Sequence, residues 1–113
     1  MTIAVQRLDA DVSVAPQLGP DAMAEAKVAG FRSVINNRPD FEGGASQPTN
    51  ASIEAAARAA GLDYAFLPVA SNFQSAEDIA RFGELMASLP KPILAFCRSG
   101  TRSGKLWRAA TGR

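Results

Sequence analysis

Apolar and polar positions change their period along the chain, and the changes outline the elements. Phe31–Asn36 (FRSVIN) alternates apolar with polar residues and predicts a strand. Leu62–Val69 predicts a second central strand, and the wholly apolar run Ile93-Leu94-Ala95-Phe96 a third. A continuous apolar run of that length suits a strand covered on both faces, as in a parallel sheet. Ala4–Leu8 and Val12–Val14 read as short strands or a hairpin. Helical spacing appears between these runs. Pro20–Ala29 has proline and aspartate at its start and Gly30 as its stop. Ala51–Ala60 is alanine-rich and closed by Gly61. A third helix opens at Ser75 as cap, with Asp78 three residues on; Ile79, Phe82, Leu85 and Met86 form its apolar stripe, and Pro90 and Pro92 lie beyond its end. A last helix runs from about Ser103 to Ala110. Strands alternating with helices imply an α/β three-layer sandwich: a mostly parallel sheet of four or five strands, with helices on both faces. No internal repeat or linker divides residues 1–113, so one domain is expected. Between the Phe31–Asn36 strand and the second helix lies Asn37–Asn50 (NRPDFEGGASQPTN), a proline- and glycine-containing loop long enough to suggest a functional role.

Composition narrows the function classes. The 113 residues carry a formal net charge of +1, with basic residues scattered rather than clustered. That is not the profile of a nucleic-acid module. The start of the chain lacks the charged and apolar regions of a signal peptide. No run approaches the ~20 apolar residues that span a membrane, so a cytoplasmic protein with no membrane partner is expected. A single cysteine rules out an intramolecular disulfide and fits a reducing compartment. Histidine is absent, which excludes Ser-His-Asp and Cys-His catalysis within this chain and any histidine-ligated metal. No metal and no cofactor are expected.

The chemistry concentrates at one turn. Cys97 follows the Ile93–Phe96 run and precedes the last helix, where open α/β sheets place ligands. The following residues, Arg98-Ser99-Gly100-Thr101-Arg102-Ser103, form a glycine-containing turn whose amides can cradle an anion at a helix N-terminus. Arg102 is placed to grip an oxyanion with two parallel hydrogen bonds, and Arg98 adds a second cation. The helix N-terminus and the two arginines are expected to favour the thiolate, the reactive form of cysteine. Cys97 and Arg102 are therefore the candidate catalytic pair. Arg98, Ser99, Gly100, Thr101 and Ser103 are the candidate anion-binding residues.

The stretches SVAPQL (13–18), AGFRSVINNRPDFEG (29–43), QP (47–48), AAGLDYAFLPV (59–69) and LAFCRSGTRS (94–103) resemble the bacterial phosphatase-like domain of beta-lactamase-hydrolase-like proteins. The resemblance spans nearly the whole chain and is most specific at INNRPD and CRSGTRS. It implies a dual-specificity-phosphatase-like fold. The family occurs alone or fused to a metallo-beta-lactamase-type persulfide dioxygenase, which implies a link to sulfide and persulfide metabolism and a dioxygenase as partner.

Two departures from phosphatases follow from that resemblance. Four residues separate Cys97 from Arg102, one fewer than in protein tyrosine phosphatases, and the shorter loop is of rhodanese length. Phosphatases of this fold carry an aspartate general acid after the strand matching Leu62–Val69, worth about 10²–10⁴-fold in rate. Here that segment reads Ala70-Ser71-Asn72-Phe73, with Asn72 near the expected place and Phe96 where a histidine usually precedes the cysteine. Asp40 or Glu42 would serve as acid only if the long loop folds over Cys97; solvated loop charges are the simpler expectation. Arg38 suits either a substrate contact or a structural ion pair. Asn36 and Asn37 are expected to hydrogen-bond within the loop, and Leu106 and Trp107 to pack. On these grounds a sulfurtransferase passing sulfane sulfur through a Cys97 persulfide is favoured. A cysteine phosphatase acting through a phosphocysteine is the alternative, and a non-catalytic anion-binding module the third reading. The substrate expected is a small anionic sulfur or phosphate compound.

Overall fold

A computed structural model describes residues 3–113. Its elements run β1 (Gln6–Arg7), β2 (Val12–Ala15), α1 (Ala22–Val28), β3 (Ser33–Asn36), α2 (Asn50–Ala59), β4 (Asp63–Phe66), α3 (Ala76–Ser88), β5 (Ile93–Phe96) and α4 (Thr101–Thr111). The strands form one sheet in the order β1-β2-β5-β3-β4, parallel except for the antiparallel edge pair β1–β2. β5 lies in the middle, with Ile93 opposite both Val12 and Ser33. Its four residues are all buried, as their uninterrupted apolar run requires of a strand covered on two faces.

Alternate residues of β5 serve different layers. Leu94 and Phe96 join Met23 and Ala26 of α1 and Ile53 and Ala57 of α2 in one core. Ile93 and Ala95 face Phe82 and Leu85 of α3 and Leu106 and Trp107 of α4 in the other. The helices therefore cover both faces in pairs. Burying side chains such as Phe82 and Leu106 contributes roughly 1.5–3 kcal/mol each.

Element limits follow local chemistry. Ser75 caps α3 by accepting from the Asp78 amide while the Asp78 carboxylate accepts from the Ser75 amide. The first helix begins at Ala22 rather than Pro20, because Gly19 and Pro20 carbonyls receive the first turn's amides from outside it. The strand foreseen over Leu62–Val69 pairs only through Asp63–Phe66, and the one over Ala4–Leu8 only at Gln6–Arg7. The last helix starts at Thr101, two residues earlier than its sequence suggests, because Gly100 supplies a left-handed N-cap at φ 92°. Among the described residues no helix is long and apolar enough to cross a membrane.

Candidate active site

Three strand ends meet at the carboxyl edge of the sheet, and the Cys97 turn sits on the middle one. The turn is fastened to β2, where the Cys97 amide donates to the Ala15 carbonyl at 3.4 Å and the Gln17 amide donates to the Arg98 carbonyl at 3.2 Å. Gly100 supplies the left-handed backbone the turn needs, at a φ of +92° that disfavours other residues.

The turn bends its amides onto the sulfur. Gly100 N–H donates to Cys97 Sγ at 3.1 Å. Cys97 is 1% exposed. Burial pushes its thiol up, but the Ser103 amide and hydroxyl and the Ser99 and Gly100 amides outweigh it, so the group lies below its usual 9.0. Hydrogen bonds thus take the part expected of the arginine charges. The Thr101 amide turns instead toward Ser99 Oγ at 3.5 Å. The Ser103 hydroxyl has a single proton and two acceptors, Asn37 Oδ1 at 2.9 Å and the Cys97 sulfur.

Arg102 reaches out of α4 and is 8% exposed. Its Nη1 donates to the Val69 carbonyl at 3.0 Å and to Glu42 Oε2 at 3.1 Å, while Nη2 donates to Glu42 Oε1 at 2.9 Å. Glu42 stays at the surface, as expected of a loop charge, but this geometry pairs it with two arginines. The long loop folds back, and Glu42 accepts from Arg102 and from Arg38 Nε at 2.9 Å. Partial burial pushes the Glu42 carboxyl up; the bonds and charges of the two arginines more than offset this and hold it below its usual 4.5. Its two oxygens hold the Arg102 guanidinium in place. Arg38 is thereby an ion-pair partner, further held by Gln17 Oε1 at 3.1 Å from its Nη1.

A cavity of about 430 Å³ opens above the sulfur, lined by Cys97, Arg98, Ser99, Thr101, Arg102 and Lys105 and, opposite them, by Ser71–Gln74. The Gln74 side-chain amide donates to the Arg102 carbonyl at 3.0 Å and ties that wall to α4. Asn72 is thus brought to the pocket. Asp40 is not, because its Oδ1 accepts from the Asn50 amide at 2.7 Å at the start of α2. No carboxylate lines this cavity. Among the described residues no group of three or more potential metal ligands forms.

A family model, the phosphatase-like domain of beta-lactamase hydrolase-like proteins, matches residues 4–112. The chain belongs to that family. A beta-lactamase hydrolase-like protein of Agrobacterium fabrum is 44% identical over 78 residues, which are 69% of this chain and 18% of the relative. The phosphatase-like domain thus spans about a fifth of the length of the curated relatives it matches. A crystal structure of a candidate phosphatase from Neisseria meningitidis superposes with a TM-score of 0.85 at 34% identity, covering 95% of this chain and 78% of that one. A kinase-associated phosphatase shares the fold alone, at a TM-score of 0.75 and 12% identity over all of this chain and 78% of its own. The fold is accordingly that of the dual-specificity phosphatases, and the family is a phosphatase-like one.

Glu42 is the residue whose role the sequence hid. Sixty positions separate it from Arg102, and nothing in its local pattern distinguishes it from its neighbour Asp40.

Proposed function

We propose that this phosphatase-like domain hydrolyses phosphoesters through a phosphocysteine on Cys97. One observation carries the reading: the sulfur lies on the floor of a pocket, met by the Ser99, Gly100 and Ser103 amides, with Arg102 held at its wall by Glu42. The Cys97 thiolate attacks phosphorus and the ester P–O bond breaks. The leaving oxygen takes its proton from water, and a second water hydrolyses the P–S bond to release phosphate and restore the thiolate. Amides and Arg102 offset charge on the phosphoryl oxygens, the kind of preorganised stabilisation that often dominates catalysis. Membership of a phosphatase-like family supports this order of preference over the sulfur chemistry first favoured by loop length.

One observation keeps sulfur transfer as the second reading. The pocket lacks a carboxylic acid, and sulfite or a thiolate leaves without one. In that reading Cys97 carries a persulfide and a persulfide dioxygenase is its functional partner. Parallel assays of phenyl phosphate hydrolysis and of sulfur transfer from thiosulfate to cyanide separate the two. Phosphate release dependent on Cys97 is expected; a persulfide on Cys97 with no phosphate release would reverse the order.

A further inference from the structure

The depression around the sulfur does not stop at Arg98. A neighbouring cavity of about 540 Å³ is lined by Arg38, Glu42, Gly43, Ser71, Arg98 and Arg102. It shares Ser71, Arg98 and Arg102 with the pocket over Cys97, so the two adjoin along those residues. Three guanidinium groups there face one carboxylate, which Arg38 and Arg102 already engage.

Two of the cations keep donors free. Arg98 is exposed, and its side chain has no hydrogen-bond or ion-pair partner among the described residues. Arg38 is nearly buried, with Nε on Glu42 and Nη1 on Gln17, while its Nη2 has no partner among the described residues. Gly43 keeps that nitrogen uncovered, because a Cβ at this position would stand 2.7 Å from Arg38 Nη2. A fixed guanidinium with unused donors, beside an exposed second one, fits an anion that accepts charge-assisted hydrogen bonds. Both cavities have the size of small-molecule sites.

We propose that Arg38 and Arg98 form a second anion subsite, and that the substrates are small phosphoesters bearing a further anionic group. The scissile phosphate sits over Cys97 and the second anion in the adjoining cavity. This assignment rests on the phosphatase reading of the Cys97 pocket.

The test compares phenyl phosphate with 1,4-phenylene bisphosphate, as ligands of the Cys97→Ser protein by calorimetry and as substrates of the unaltered protein. The bisphosphate is expected to bind about tenfold more tightly, a modest gain for a charge-assisted contact in water. Arg38→Gln, made in the Cys97→Ser background, should bring the ratio of affinities close to one. Reading the ratio cancels any effect on the shared phosphate site through Glu42. Should Arg38→Gln fail to fold, Gly43→Ala, which crowds Arg38 Nη2, is expected to lower the same ratio. Equal affinities, or a preference that survives both substitutions, would overturn the subsite while leaving phenyl phosphate turnover in place. Absence of binding and turnover with both esters would remove the phosphatase reading and the subsite with it.

Discussion

The Cys97 turn and the Arg38–Thr49 loop serve one pocket by opposite means. The turn is built from near neighbours. Every donor that lowers the thiol lies within six residues of Cys97, and three of the four are main-chain or side-chain groups that α4 and its cap bring along as they form. The loop works at a distance. Glu42 orients Arg102 across sixty positions of sequence, and Arg38 reaches Gln17 across twenty-one. Local geometry sets the state of the thiol, whereas tertiary packing aims the guanidinium beside it. A substitution in one should therefore change reactivity, and a substitution in the other should change orientation.

The sharpest break is Cys97→Ser, which removes the proposed nucleophile from an otherwise intact turn. Turnover should fall by about 10³-fold or more, since a serine hydroxyl has no base here and loss of a nucleophile has costs of that order or larger. Steady-state rates on protein with an unchanged circular dichroism spectrum check this. Next comes Arg102→Ala, which belongs to both regions. A loss of about 10²-fold is expected, the scale of removing one preorganised donor, and alkylation of Cys97 should continue because the thiol's donors are elsewhere.

Glu42→Gln probes the long-range side alone. It should lower kcat by about tenfold and destabilise the fold by roughly 1–3 kcal/mol, less than a fully buried pair because the Glu42 side chain is 24% exposed. The sign with pH follows from linkage. Glu42 titrates lower in the folded protein than in the unfolded chain, so its stabilisation is complete above its usual 4.5 and is lost as pH falls through the lowered folded value. Denaturant titrations of the two proteins should therefore converge on acidification. Ser103→Ala probes the local side. The alkylation midpoint of Cys97 should lie below 9.0 in the unaltered protein and move upward in the variant, which loses the hydroxyl donor. The smallest effect expected is from Asn72→Asp. It places a carboxyl at the pocket wall and should raise hydrolysis of alkyl phosphates a few-fold, with little change in sulfur transfer.

The same division explains what the sequence disclosed. The β5–Cys97–α4 unit was legible because an apolar run, a glycine turn and a helix are local signals. The alternation of elements also conveyed the layered parallel sheet, and Ser75 with Asp78 marked a cap that forms as read. Asp40 and Glu42 looked equivalent because both are acidic residues on one loop. Only the folded path separates them, placing Asp40 at the start of α2 and Glu42 between two arginines. Strand lengths were overread where apolar residues continue past the last paired position, as at Leu67 and Val69, which pack into the core without extending β4.

Asn37 has a consequence for how the molecule breathes. This fully buried residue donates its amide to Phe96, its side-chain amide to Leu67 and receives the Val69 amide on its carbonyl, while its Oδ1 accepts from Ser103. One side chain and one peptide thus latch the ends of three strands and the first turn of α4. Local opening at this edge is expected to release these contacts together, coupling the turn to the sheet. In hydrogen exchange the amides of Asn37 and Val69 should be protected to nearly the same free energy as the central strand and should open as one cooperative unit. Asn37→Ala should uncouple them, so that the Cys97 turn exchanges ahead of β5.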